Sequence, residues 1–142
     1  MQRSAMRELA FKLIYGLVMQ KDEENCELVD IFIENNEITD KKVIEYLKDI
    51  QKGLVENSQE INELIEGNLK ENWTLSRVSK INLSLIKIAI YEMLYKDVPY
   101  KVAINEVVEL AKKYSDDTAP QFINGILASV VKAKNLDEKK DE

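Results

Sequence analysis

The chain has 142 residues, of which 45% are hydrophobic and 32% charged, with four glycines and two prolines. That balance favours one packed helical domain, which buries roughly two thirds of the surface that its unfolded form exposes, and it excludes a mainly disordered chain. The formal net charge of −6 gives no reason to expect binding to a polyanion such as a nucleic acid.

Apolar residues recur at helical spacing in the first part of the chain and predict three helices there. The first covers about residues 3–20, and a short second helix ends near Asn35. Thr39 or Asp40 is placed to cap a third helix that runs to about Val55, because either side chain can accept a hydrogen bond from the first turn.

Two further helices are predicted in the middle of the chain. Asn57 followed by Glu60 resembles a capping box and predicts a fourth helix through about Leu69. The fifth helix, at about residues 76–95, is apolar in almost every direction around its axis. A helix with no polar face must be buried on all sides, so it is predicted to be central.

Proline and a second capping pattern define the last two helices. Pro99 disfavours helix at the residue before it and separates the fifth helix from a sixth at about residues 101–114. Thr118 followed by Gln121 resembles a capping box that opens a seventh helix ending near Ala133.

The predicted fold class is therefore all-α, a compact bundle of about seven helices. No internal repeat and no glycine- or serine-rich linker divides the chain, so residues 1–136 are predicted to form a single domain. The charged tail at residues 137–142 is predicted to fray.

The chemistry of most enzymes is missing from this composition. Without histidine there is no Ser-His or Cys-His nucleophile system, and the glycines form neither a P-loop nor a dinucleotide fingerprint. Asp116 and Asp117 could converge on a magnesium ion in a carboxylate-dependent hydrolase, or they could simply complement the positive end of the last helix. We predict that the chain is not an enzyme and needs no cofactor.

Membrane insertion and export are also excluded by pattern. Lys87 and Glu92 interrupt the longest apolar run before it reaches the roughly 18 to 20 residues that a membrane span needs. The N-terminus lacks a signal-peptide pattern. Cys26 is the single cysteine and the chain has no histidine, so neither an intrachain disulfide nor a Cys/His zinc site can form. The expected location is the cytoplasm.

The first helix carries three residues that could recognise a partner. Arg3 and Arg7 lie in its first two turns, where positive charge opposes the helix dipole, so something other than stability could maintain them there. An ordinary solvated helix end explains them equally. Tyr15 lies at the margin of the apolar face and could offer its hydroxyl to a partner, or it could simply be half-buried.

The last helix carries a candidate base-binding group. Phe122 lies at the edge of the apolar arc, with Gln121 and Asn124 on the polar side and Gly125 beside them. An aromatic ring flanked by amides can stack on a base and form hydrogen bonds with its edges. The alternatives are that Phe122 belongs to the core and that Gly125 allows close helix packing.

The stretch from Trp73 to Ile126 resembles the NusB family, above all in the segments IAIYEML, DVPYKVAINE, VELAKKY and FINGIL. The opening helix, RSAMRELAFKLIY, is also similar to that family's first helix, although the family is usually richer in arginine there. The resemblance implies an all-helical fold and a transcription antitermination factor. Such factors bind boxA RNA together with NusE, a small-subunit ribosomal protein, and keep RNA polymerase processive, notably on ribosomal RNA operons.

The resemblance also implies roles for individual residues. Arg3 and Arg7 match the family's N-terminal basic cluster, and Phe122 matches the aromatic residue before its Asn-Gly pair. The expected RNA-binding set is Arg3, Arg7, Thr118, Gln121, Phe122 and Asn124. Tyr15, Ser76 and Asn82 correspond to the face expected to meet NusE, and the expected partners are RNA, NusE and the transcription elongation complex.

Several departures from the family pattern weaken the expected RNA affinity. Thr118 replaces the usual aspartate, Pro120 and Gln121 replace more polar or basic residues, and Ser4 and Met6 thin the arginine cluster. NusE could supply the phosphate contacts that this acidic chain lacks, so the heterodimer is expected to bind RNA better than the chain alone. The alternative is a self-associating helical interaction module whose Tyr15 and Phe122 surfaces pair with another copy.

Overall fold

A computed structural model describes the backbone of residues 1–141 and the side chains of residues 1–138. Within these residues all regular structure is helical, which confirms the predicted fold class. The α-helices are α1 (Arg3–Gln20), α2 (Cys26–Asn35), α3 (Lys41–Glu56), α4 (Ser58–Gly67), α5 (Lys80–Tyr95), α6 (Tyr100–Tyr114) and α7 (Ala119–Ala133). Two 3-10 helices cover Leu75–Arg77 and Leu136–Asp141.

The contacts between helices divide the chain into two compact units, Met1–Asn57 and the part from Ser58 onward. The prediction of one domain over residues 1–136 stays a prediction. The tail predicted to fray, residues 137–142, lies partly outside the described residues, and its described part belongs to the second 3-10 helix. Fraying there also stays a prediction.

In the first unit, α1 packs against both α2 and α3, and α2 packs against α3. Polar side chains define where these helices begin. Asn25 accepts hydrogen bonds from the backbone N–H groups of Glu27 and Leu28 and caps α2, while Asp40 accepts one from Lys42 and caps α3. Of the two candidates for the cap of α3, Asp40 is therefore the residue used.

In the second unit, α5 packs against α4, α6 and α7, and α6 packs against α7. Every residue of α5 from Asn82 to Met93 is buried, and Leu85, Ile86 and Ile90 have no exposed surface. This confirms the prediction of a central helix. Truncating one of these side chains to alanine would cost about 2–5 kcal/mol, because it removes apolar contacts and leaves a cavity.

The start of α5 differs from the prediction. The helix begins at Lys80 rather than near Ser76, because the Ser79 hydroxyl accepts a hydrogen bond from the backbone N–H of Asn82, at 3.2 Å, and caps it. Ser76 lies instead in the 3-10 helix Leu75–Arg77. A separate 3-10 turn therefore lies between the end of α4 and the start of α5.

Asn57 does not act as the cap that its spacing from Glu60 suggested. Its side-chain amide donates a hydrogen bond to the carbonyl of Gly53, at 2.9 Å, and so closes the end of α3. The Asn57 side chain therefore satisfies a carbonyl at the end of α3, which has no partner within the helix, and does not accept from an N–H group at the start of α4.

The second predicted capping box is also wrong, because Asp116 performs the function assigned to Thr118. One carboxylate oxygen of Asp116 accepts hydrogen bonds from the backbone N–H groups of Thr118 and Ala119, at 3.1 and 3.0 Å. The Thr118 hydroxyl donates to the same oxygen at 2.8 Å. The interpretation of this aspartate as a complement to the last helix fits that geometry.

We expect Asp116→Ala to lower the free energy of unfolding by about 1 kcal/mol, because two backbone donors at the start of α7 lose their acceptor. Asp116→Asn keeps an acceptor oxygen and should retain most of this stability. Urea denaturation of both variants, with Asp117→Ala as the control, measures the difference. Equal losses at positions 116 and 117 would contradict the assignment of the cap.

Candidate nucleic-acid interface

A cleft of about 580 Å³ lies in the second unit, between the first turns of α7 and the segment that follows α4. We call it the α7 cleft. It is lined by Asn68, Leu69, Lys70, Trp73, Thr118, Gln121, Phe122, Gly125, Ile126 and Ser129. The cleft thus combines aromatic, amide, hydroxyl and cationic side chains on one surface.

Two aromatic rings form the apolar part of the cleft. The ring centroids of Trp73 and Phe122 lie 6.0 Å apart, with their planes inclined by 36°. Trp73 is 44% exposed and Phe122 is half-buried, because Ile123, the next residue of α7, takes the position that faces the core. A half-buried ring can pack on the protein with one part and still offer a surface to a ligand.

Arg77 supplies positive charge beside these rings. Its guanidinium carbon lies 5.5 Å from the centroid of the Trp73 ring, within the range of a cation–π interaction. The same side chain donates a hydrogen bond to the backbone carbonyl of Asn72, at 3.2 Å. The guanidinium is therefore held against the indole by two interactions.

The polar side of the cleft is partly committed to internal hydrogen bonds. The Ser129 hydroxyl donates to the Asn68 side-chain oxygen at 2.6 Å, and the Asn68 amide nitrogen donates to the Leu64 carbonyl at 2.8 Å. These bonds join the end of α4 to α7. Gln121 is exposed at the rim, where its amide can both donate to and accept from a ligand.

Gly125 leaves bare backbone in the lining of the cleft. A Cβ added at this position would meet no atom within 4 Å, so the alternative that Gly125 allows close helix packing is wrong. The missing side chain instead keeps the surface beside Phe122 open.

The structure separates the predicted residues of α7 into two groups. Thr118, Gln121 and Phe122 line the α7 cleft together. Asn124 lines a second cavity of about 350 Å³ between α6 and α7, with Lys101 among its neighbours. Phe122 and Asn124 are two residues apart, or about 200° around the helix axis, so they lie on opposite sides of α7.

The predicted residues of the first helix lie in the first unit. Arg3 is exposed, with its guanidinium carbon 5.8 Å from the centroid of the Tyr46 ring. Arg7 is only 4% exposed, so it offers little surface to a ligand. Tyr15 is half-buried and stacks on Phe11, with 5.9 Å between the ring centroids.

The residues expected to meet NusE differ in exposure as well. Ser76 is exposed, and its hydroxyl shares a hydrogen bond of 3.0 Å with that of Thr74. Asn82 is only 9% exposed, and its side-chain oxygen accepts a hydrogen bond of 2.8 Å from Ser115. That bond ties the start of α5 to the end of α6. The RNA and partner roles of all these residues stay predictions.

Reasoning from the sequence did not select Trp73, Arg77 or Lys70 as site residues. A signal was present, because Trp73 is the only tryptophan of the chain and has a cation three residues before it and another four residues after it. Tryptophan and arginine together are typical of binding surfaces, since both offer large flat groups.

The aspartate pair considered for magnesium shows a different organisation. One oxygen of Asp116 is occupied by three donors at the start of α7. Among the described side chains no group of three or more Asp, Glu, Cys or His residues is arranged to hold a metal ion. Through residue 141, none of the helices has the length and apolar character needed to cross a membrane.

The fold defines the class of the molecule as an all-helical protein, and its second unit carries an open cleft lined by aromatic and amide side chains. The NusB family matches residues 4–132, which is most of the chain. The chain belongs to the NusB family, as its sequence resemblance predicted.

Individual relatives agree with this assignment. The chain is 44% identical to the transcription antitermination protein NusB of Acetivibrio thermocellus over 147 aligned residues, which cover all of this chain and 99% of that protein. A solved structure of T. maritima NusB superposes with a TM-score of 0.84 and 33% identity, covering 97% of this chain and 98% of that one. A crystal structure of the antitermination factors NusB and NusE in complex with dsRNA gives a TM-score of 0.82 and 27% identity, covering 92% and 96%.

We expect Gly125→Ala to raise the free energy of unfolding by about 0.5–1 kcal/mol, because alanine favours the helix and its methyl group meets no neighbour. Ala128→Gly, at another exposed position of α7, should lower it by a similar amount. Urea denaturation compares the two variants. A loss of stability in Gly125→Ala would show that this position is closely packed after all.

Proposed function

We propose that this chain is a non-enzymatic transcription antitermination factor of the cytoplasm, which binds boxA-like single-stranded RNA together with the ribosomal protein NusE within the transcription elongation complex. The observation that carries the proposal is the α7 cleft, where Thr118, Gln121 and Phe122 lie together in a chain of the NusB family. Family membership supports the antitermination role, and the cleft supports its RNA chemistry.

The chemistry of the cleft favours an unpaired base. An aromatic ring can stack on the face of a base, and an amide such as that of Gln121 can form hydrogen bonds with its edge. Both contacts require a base that has left the double helix, because paired and stacked bases expose neither their faces nor their pairing edges. The proposed ligand is therefore a single strand.

Charge explains the requirement for NusE. The net charge of −6 opposes the approach of RNA, and the aspartates at the start of α7 add local negative charge close to Phe122. Lys70 and Arg77 offset this only in part. The related crystal structure of NusB and NusE in complex with dsRNA supports a shared surface, to which NusE would bring further phosphate contacts.

The proposal assigns the chain no catalytic step. Keeping RNA polymerase processive through an adaptor requires that RNA and protein partners be held together, and binding energy alone accomplishes this. Stacking by Phe122, hydrogen bonding by Gln121 and charge from Arg3 are the contributions proposed for individual residues.

We expect a labelled boxA-like RNA to bind the mixture of this chain and NusE at least tenfold more tightly than either protein alone, at one stated moderate salt concentration. Fluorescence anisotropy measures the three affinities. Phe122→Ala should weaken the mixture by about 1–3 kcal/mol, the range for loss of one stacked base, whereas Phe122→Tyr should retain most of the affinity.

Arg3 and Arg7 provide a contrast in the same assay. Arg3→Ala removes an exposed charge. If Arg3 contacts a phosphate, the slope of log affinity against log salt concentration should become smaller in magnitude by about one. Arg7→Ala removes a buried guanidinium, so its stability must be measured alongside its affinity.

A mixture that binds no better than NusE alone would overturn the proposal, and light scattering would then test self-association of the chain.

A further inference from the structure

Trp73 is a large apolar side chain that the fold leaves at the surface of the α7 cleft. It is 44% exposed, although burial of a tryptophan would be favourable. It lies on the short segment between α4 and the 3-10 helix Leu75–Arg77. In this segment the Trp73 N–H donates a hydrogen bond to the Lys70 carbonyl, at 2.8 Å. In the 3-10 helix the Arg77 N–H donates one to the Thr74 carbonyl, at 3.0 Å. The ring is thus exposed on an ordered turn.

Two neighbours hold the indole in this position. Phe122 approaches it from α7, with 6.0 Å between the ring centroids, and the guanidinium of Arg77 lies 5.5 Å from its centroid. Arg77 is itself attached to the backbone carbonyl of Asn72. The guanidinium that contacts the indole is therefore also held by a hydrogen bond to the backbone, which favours one orientation of Trp73.

The spacing of the rings determines how a base could bind. A base between two rings needs a contact distance of about 3.5 Å on each side, or roughly 7 Å in all. The centroids of Trp73 and Phe122 are closer than that, and the ring planes are inclined by 36°, so a base cannot insert between them and could contact only the outer surface of the pair, which we call the platform. Beside this platform, Gly125 leaves open space, Lys70 lines the cleft, and the Arg77 guanidinium lies near the Trp73 ring, so two cations are available to the phosphates of a bound strand.

We propose that Trp73 and Phe122 form a two-ring platform on which one unpaired base of the bound RNA stacks, and that Arg77 is a positioning residue that orients Trp73. This inference rests on the proposed function, because it names further residues of the same RNA-binding site. It adds the Trp73 ring to the stacking surface of Phe122, and it predicts that the platform discriminates single-stranded from double-stranded RNA.

The emission of Trp73 reports directly on the platform, because the chain contains no other tryptophan. The experiment titrates the mixture of chain and NusE with boxA-like RNA and records the anisotropy of the labelled RNA together with tryptophan emission. The same titration with Trp73→Phe gives the contribution of NusE to the emission. We expect Trp73 emission to fall with the same midpoint as the anisotropy rises, and to stay unchanged with a fully paired duplex of the same sequence.

Substitutions separate stacking from charge. Trp73→Ala should weaken binding about 5- to 150-fold, the equivalent of one stacked base, whereas Trp73→Phe should lose much less. Val102→Ala, which alters an equally exposed apolar side chain on α6, should bind as the unmodified chain does. Arg77→Lys keeps the charge but loses the planar group, so a positioning role predicts weaker binding with an unchanged salt dependence, and full rescue by lysine would contradict it.

The outcomes distinguish the platform from the proposed function. If anisotropy shows binding while Trp73 emission stays constant and Trp73→Ala binds normally, the platform is overturned and RNA binding stands. If the mixture shows no change in anisotropy, the proposed function itself fails. Urea denaturation of Trp73→Ala checks its folding, and Trp73→Leu, which keeps apolar volume without an aromatic face, should show the same loss of affinity as alanine.

Discussion

The burial of α5 is the constraint on which the rest of the second unit depends. A helix that is apolar in almost every direction cannot remain in contact with water, so other helices must cover it, and α4, α6 and α7 do so. The apolar arc of α7 is used for this purpose through Ile123, Ile126 and Leu127. The residues at the edge of that arc are consequently available for other contacts, and Phe122 is one of them.

The same packing explains how the α7 cleft arises. The hydrogen bond between Ser129 and Asn68 fixes α7 to the end of α4, and the chain then turns through Trp73 before it enters α5. A tryptophan that is distant in sequence is thereby placed against Phe122. The cleft forms because the segment that connects α4 to α5 passes beside the first turns of α7. The side chains of that segment and of α7 determine its chemistry.

The net charge and the aromatic surface of this molecule would have opposite effects on the proposed binding of RNA. The net charge of −6 opposes the approach of a polyanion, whereas the proposed platform and its nearby cations would favour one local contact with RNA. An adaptor with this balance would bind weakly alone and gain affinity when a basic partner completes the surface.

The sequence by itself determined the all-helical class, the central position of α5 and the family, because hydrophobic periodicity and long ordered segments such as DVPYKVAINE are local properties of the chain. It also indicated Phe122 as an edge residue. Only the tertiary structure decided that Asp116 caps α7, that Asn124 faces a different cavity from Phe122, and that Trp73 joins the cleft. Several side chains could satisfy the same helix end, and contacts between residues about 50 positions apart depend on how the helices pack, which no local pattern records.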